Sequence, residues 1–154
     1  MLKLEKYDSV YLEKSWEWLA DPETKMLTNT PDFTKEEQLK WFEEMPHREN
    51  YKIWGASFNE IPIGIFGIKN INLVEQTGEY WGFIGEKEFR GKGFGHLILE
   101  ELLQFAQTDL KLKEIHLKVI KKNKVAIHLY KKMGFKEFST DAVNSIMKKN
   151  ISLL

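Results

Sequence analysis

Apolar residues recur along this chain with two periods, and the switches between them mark out its elements. Leu2–Tyr7 alternates and predicts a first strand. Between Val10 and Ala20, Leu12, Trp16 and Leu19 form one helical stripe. Asp21-Pro22 ends that helix, because a residue before proline avoids the helical region. Thr34 and Glu37 form a capping-box pair ahead of Leu39, Phe42 and Met45, a second helix closed by Pro46. Tyr51–Phe58 and Ile61–Ile71 read as a strand pair around an Asn59-Glu60 turn, with Pro62 near the start of the second strand. Thr77–Gly85 is the next strand. Leu99, Leu102, Leu103, Ala106 and Leu110 then define a helix over Gly95–Leu110. A strand at Glu114–Ile120 and a helix at Asn123–Met133 follow, with Gly134 placed to cap the helix. Phe135–Ser139 and Asn144–Lys149 predict a last strand pair. The order β-α-α-β-β-β-α-β-α-β-β describes an α+β (mixed α/β) fold, with one mixed, largely antiparallel sheet flanked by helices.

Composition narrows the class. A length of 154 residues suits a single domain spanning 1–154 with its own core. Aromatic residues reach 13%, enough rings to line a core or a pocket. The 23 basic and 23 acidic residues balance, which argues against a nucleic-acid partner held by bulk charge. Nine lysines between Lys111 and Lys136 face one acidic residue, Glu114; the run reads either as a solvated face or as a landing surface for an anion. The absence of cysteine excludes disulfides, a thiol nucleophile and thiolate metal ligands. His47, His96, His116 and His128 show no metal-ligand spacing, so no metal is expected. The charged start Met1–Lys6 has no signal-peptide core and no apolar run approaches membrane length, so the expectation is a cytoplasmic protein with no membrane partner.

The segment Arg90-Gly91-Lys92-Gly93-Phe94-Gly95 joins a strand to a helix. Its glycines let the backbone come close to a ligand, and the first N–H groups of the helix have no partner within it. A phosphate-bearing ligand is expected there. The spacing Gly-x-Gly-x-Gly fits neither a dinucleotide fingerprint nor a Walker loop. Taken by themselves, the glycines also suit a plain tight turn.

A second pattern follows one helix and one strand later: Asn123, Ala126, Tyr130, Gly134 and Phe135. Together with Arg90, Gly93 and Gly95, it resembles the GNAT superfamily of acyl-CoA-dependent N-acetyltransferases. The resemblance runs through the whole chain in element order. It implies acetyl transfer from acetyl-CoA to a primary amine. The pyrophosphate would lie on the backbone from Arg90 to Gly95, through Gly91, Lys92, Gly93 and Phe94. The pantetheine arm would lie in a splay between strands Thr77–Gly85 and Glu114–Ile120, in contact with Asn123. Tyr130 would be the general acid at the thioester sulfur; by its residue pattern alone it reads as a core tyrosine.

Glu79 occupies the strand where many members of the superfamily carry a catalytic base. If Glu79, Trp81 and Phe83 share a face, the carboxylate enters an aromatic pocket, where desolvation would raise its pKa. Related chains often keep this Glu one residue nearer the loop, at the place of Tyr80, and a bulge would reconcile the two registers. Trp18-Leu19-Ala20-Asp21-Pro22-Glu23 resembles the branch of ribosomal-protein alanine and sugar-nucleotide amine acetyltransferases. The implied acceptor is a small amine, such as a nucleotide-linked amino sugar, or a peptide N-terminus. Residues between Trp16 and Phe42 would shape its pocket, although Trp16, Trp18, Met26, Phe33 and Trp41 read equally well as core. A non-catalytic acyl-CoA-binding module is the competing class. A homodimer is compatible with the pattern.

Overall fold

The computed structural model describes residues 1–154. Seven strands form one sheet in the order β1-β2-β3-β4-β5-β7-β6. They are β1 (Leu2–Lys6), β2 (Lys52–Phe58), β3 (Ile61–Asn72), β4 (Thr77–Ile84), β5 (Glu114–Ile120), β6 (Lys136–Thr140) and β7 (Asn144–Asn150). The helices are α1 (Ser9–Leu19), α2 (Pro22–Leu27), α3 (Lys35–Glu44), α4 (Phe94–Thr108) and α5 (Lys124–Lys132). Every neighbouring strand pair is antiparallel except β4 with β5. No helix is long and apolar enough to cross a membrane.

Local chemistry sets the boundaries. Asp8 caps α1 by accepting from the N–H groups of Val10 and Tyr11 at 3.0 and 3.3 Å. Thr34 and Glu37 form the reciprocal capping box that starts α3. Asn59 and Glu60 turn β2 into β3 with φ of 49° and 69°, the left-handed pair that a two-residue hairpin requires. The order of strands and α-helices along the chain matches the expected one, with one helix added. Asp21-Pro22 does end α1, but it also opens α2. The Asp21 carboxylate accepts from Thr24 N–H at 2.9 Å, and Pro22 takes the first helical position, where its missing N–H costs nothing.

Two apolar layers flank the sheet. On one face, α4 contributes Ile98, Leu99, Leu102, Leu103 and Ala106, packed with Phe66, Tyr80, Ile115, Leu117 and Phe135. The inward face of α5, with Ala126, Ile127, Tyr130 and Met133, joins the same layer. Each fully buried side chain of this kind contributes about 1.5–3 kcal/mol of transfer free energy. On the other face, Tyr7, Tyr11, Leu12, Trp18 and Ile65 form a smaller cluster, with Trp16, Trp41, Phe42, Trp81 and Phe83 at its margin. Strand β4 therefore separates the layers residue by residue: Tyr80 faces α4 and α5, whereas Trp81 and Phe83 face α1 and α3.

Candidate active site

The parallel pairing of β4 with β5 is short. It runs through Thr77–Glu114, Gly78–Ile115 and Glu79–His116, and stops. Beyond that rung, β4 stays bonded to β3 as far as Ile84, and β5 stays bonded to β7 as far as Ile120. The facing edges of the two strands part, leaving a cleft with backbone donors and acceptors on both walls. An extended chain carrying amide groups can enter it as an added strand would.

The glycine loop lies at the open end of this cleft. Gly91 and Gly93 hold φ of 72° and 83°, and a Cβ built on either would meet nothing within 4 Å. Gly93 is the N-cap of α4 and supplies no side chain to the helix start. The first α4 N–H groups are thus directed into open space, a geometry that receives an anion. Arg90 turns inward: its Nε donates to the Ile84 carbonyl at 2.8 Å and its Nη2 to the Thr24 hydroxyl at 3.2 Å. The Thr24 hydroxyl in turn donates to Asp21 at 2.8 Å, and Lys87 reaches the other Asp21 oxygen at 3.1 Å. These bonds, the Thr24 N–H first, hold the Asp21 carboxyl down to about 2. The side chain of Arg90 therefore fastens the loop to β4 and α2, leaving backbone N–H groups as the anion donors.

At the closed end, two phenols lie on one face of the sheet and a carboxylate on the other. Tyr130 lies edge-on to Tyr80 with ring centroids 6.2 Å apart, and 5.9 Å from Phe135. Burial alone pushes the Tyr130 phenol up to about 12, so it stays protonated at neutral pH. On the opposite face, Glu79 accepts from Asn70 Nδ2 at 3.0 Å and lies 3.4 Å from His116 Nε2 and 3.8 Å from Lys69 Nζ.

The expectation that the aromatic surroundings raise the Glu79 pKa is overturned. His116 foremost, then Lys69 and Asn70, hold the carboxyl below its ordinary range against the opposing effect of burial. The bulge that would move Glu79 to the place of Tyr80 is absent: β4 pairs with β3 one-to-one from Glu79 to Ile84, and the irregularity lies on β3. The β3 register slips by one residue between Lys69 and Asn72, with Asn70 at φ 52°. This irregularity carries the Asn70 side chain over the carboxylate.

Next to Glu79, Trp81 begins a wall of edge-to-face rings. Tyr51 lies 6.3 Å from Trp81, Trp41 lies 6.2 Å from Tyr51, and Tyr7 lies 5.9 Å from Trp41. The Arg48 guanidinium sits 5.4 Å from the Tyr51 ring. The Trp81 indole N–H is buried with no partner in the protein. Of the two places open to Trp18, pocket and core, it takes the core: it packs on Phe83 and donates to Glu86 at 2.9 Å.

The sequence profile of the Acetyltransferase (GNAT) family matches residues 13–135. The chain belongs to this family. As a GNAT chain it is an N-acetyltransferase with the mixed α+β fold of that family. It is 26% identical over 145 residues to an N-acetyltransferase 9-like protein of Caenorhabditis briggsae, covering 86% of this chain and 73% of the relative. The spermidine N-acetyltransferase of Vibrio cholerae, solved with CoA and spermine, superposes with a TM-score of 0.86 at 21% identity over 98% of this chain and 96% of that one. The PseH acetyltransferase of Campylobacter jejuni, solved with acetyl coenzyme A, gives 0.75 at 19% identity over 97% and 99%.

Within this GNAT framework, the cleft brings Glu79 and Tyr130 to opposite faces of one end and the Arg90–Gly95 backbone to the other. Asn123 is the N-cap of α5. Its side-chain oxygen accepts from Ala126 N–H at 3.2 Å, which leaves the amide nitrogen free to donate. Asn123→Ala should therefore cost the free protein about 1 kcal/mol through the lost cap, measured by urea unfolding without ligand. Three residues of this neighbourhood were missed by sequence reasoning: His116, Asn70 and Thr24. Alternation places His116 opposite the core residues Ile115 and Leu117, but its partner comes from a strand distant in the chain.

Proposed function

We propose that this GNAT enzyme transfers the acetyl group of acetyl-CoA to the primary amine of a small, nucleotide-linked amino sugar. The observation that carries the transfer chemistry is the β4–β5 cleft, with an anion cradle at one end and ionisable groups on both faces of the other. The Gly91–Gly95 backbone and the α4 N-terminus would take the pyrophosphate, and the strand edges would bond the pantetheine amides. Acetyl-CoA supplies the thioester. Tyr130 would stand on the α5 side as the donor to the departing sulfur, and Glu79 on the acceptor side, where the ammonium must lose a proton before it can attack.

The acceptor would enter over the wall of Trp81, Tyr51 and Trp41. Aromatic faces stack sugars and bases, and Arg48 at the rim can meet a phosphate. A second reading, a polyamine acceptor, is favoured by the likeness to the spermine-bound spermidine N-acetyltransferase and by the exposed Glu36, Glu37, Glu43 and Glu44 on α3. Long-range attraction would draw a cation toward that helix.

A parallel screen decides between them. Nucleotide-linked amino sugars, polyamines and short peptides are offered with acetyl-CoA, and thiol release is followed at low and high salt. Turnover of sugar nucleotides is expected. Turnover of polyamines alone, weakened by salt, would establish the second reading, and acetylation of peptide N-termini alone would displace both. Binding of acetyl-CoA without thiol release in any arm would identify a binding module.

A further inference from the structure

We propose that His116 is the base that takes the proton from the acceptor ammonium, and that Glu79 is the positioning carboxylate that orients its ring. The inference rests on the transferase reading above and assigns the proton step within it. Glu79 and His116 occupy the last paired rung of β4 and β5, so both side chains leave the sheet on one face at the closed end of the cleft. That is the face of Trp81 and the aromatic wall, opposite Tyr130. His116 Nε2 lies 3.4 Å from Glu79 Oε1, a separation that catalytic hydrogen bonds of ligand-free enzymes commonly show before they tighten.

Glu79 is already supplied with donors. Asn70 gives it an N–H at 3.0 Å, and Lys69 stands 3.8 Å away. A carboxylate stabilised in this way is a weak base, and efficient proton acceptors titrate near the working pH. Imidazole is the side chain that ordinarily changes charge between pH 5 and 8. With Nε2–H directed at Glu79, the lone pair is on Nδ1.

In the step, an ammonium N–H bond breaks and its electron pair stays on nitrogen, freeing it to attack the thioester carbonyl. The proton passes to Nδ1, directly or through one water. The resulting imidazolium is stabilised by the adjacent Glu79 carboxylate and later returns its proton to solvent. The other charged groups around His116 are Glu114 and Lys118 on its own strand and Lys148, its cross-strand partner on β7. Lys148 is drawn to Glu114 at 3.8 Å, and Lys69 to Glu79, so the lysines are partly neutralised by carboxylates.

The test compares pH profiles of kcat/KM for the wild type, His116→Gln, His116→Ala and Glu79→Gln. Calorimetric affinity for acetyl-CoA serves as the check that each variant keeps its fold. His116 is half-exposed, so its replacement should leave that affinity intact. His116→Gln should lose about a hundredfold in kcat together with the acidic limb of the profile. Free imidazole should restore turnover to His116→Ala. Glu79→Gln should keep the limb and lower kcat, because the ring loses the carboxylate that orients it.

An unchanged profile in His116→Gln, with activity abolished in Glu79→Gln, would overturn the proposal and leave Glu79 as the base of a working transferase. Failure of imidazole to restore His116→Ala would also overturn it. A wild-type protein that acetylates no amine would overturn the transferase reading itself, and this inference with it.

Discussion

Replacing Tyr130 with phenylalanine should lower turnover about a hundredfold while changing the affinity for acetyl-CoA less than about twofold. The substitution removes one oxygen and keeps the ring that packs on Tyr80 and Phe135. Burial is the sole cause of the raised phenol pKa of about 12, with no hydrogen bond contributing, so the hydroxyl forfeits no protein partner when it is deleted. The size of that shift also limits what the phenol can do. An alkyl thiol is ordinarily a stronger acid than a phenol, so full proton transfer from this phenol to a free thiolate runs uphill. The principal contribution is then a hydrogen bond to the sulfur as charge develops on it, with full transfer only as the thiolate departs. Such a bond exists in the transition state and not in the bound thioester, which is why kcat should fall and Kd should not. Rapid-mixing measurement of the chemical step is the check. Near-normal turnover under conditions limited by that step would return Tyr130 to the role of a core ring.

Much of this architecture is legible in the sequence where a single element carries its own signal. Leu99, Leu102, Leu103 and Ala106 repeat at helical spacing over about two turns, and all four are buried against the sheet. Thr34 with Glu37 announces α3, and the alternation of Glu79, Trp81 and Phe83 places these three on one face of β4. Helix α2 is the element missed. Asp-Pro signals a helix end to a reader coming from the N-terminal side, and a helix start to one coming from the other. With only six residues, α2 has no stripe to arbitrate. Its placement matters because Thr24 and Asp21 anchor Arg90, so the glycine loop depends on a helix the pattern does not reveal.

The charge state of Glu79 was hidden for a different reason. Its apolar neighbours lie two and four residues along the same strand, where alternation exposes them. Its polar neighbours come from β3 and β5. Their approach is set by cross-strand register, by a one-residue slip between Lys69 and Asn72, and by a parallel pairing that lasts three rungs. Register is a property of two strands together, and neither strand states it alone. The same holds for the Tyr80–Tyr130 contact, which needs α5 laid across β4.

The glycine loop yields the other large effect. Gly93→Val should weaken acetyl-CoA binding about a hundredfold, equivalent to about 2.7 kcal/mol. In the free protein a Cβ at this position meets nothing within 4 Å, so the first added carbon collides with no protein atom. It would stand in the space an anion must enter to reach the first N–H groups of α4. The φ of 83° adds a second cost, since a β-branched residue resists the left-handed region and would pull the loop away from its cradle geometry. Losing one or two hydrogen bonds to a charged phosphate, at about 1.5–3 kcal/mol each, accounts for the expected size.

Gly95→Ala is the matched control. Its Cβ would meet Leu129 Cδ2 at 3.7 Å, an ordinary contact on the side facing α5, and φ is not positive there. Affinity should stay within about threefold, and the helix should gain up to about 1 kcal/mol from the propensity of alanine. Calorimetry of both variants, with thermal melts to establish that each is folded, separates the two outcomes. Equal affinity of folded Gly93→Val and wild type would remove the phosphate from this loop, whereas selective loss in Gly93→Val would tie binding to the backbone that the glycines leave open.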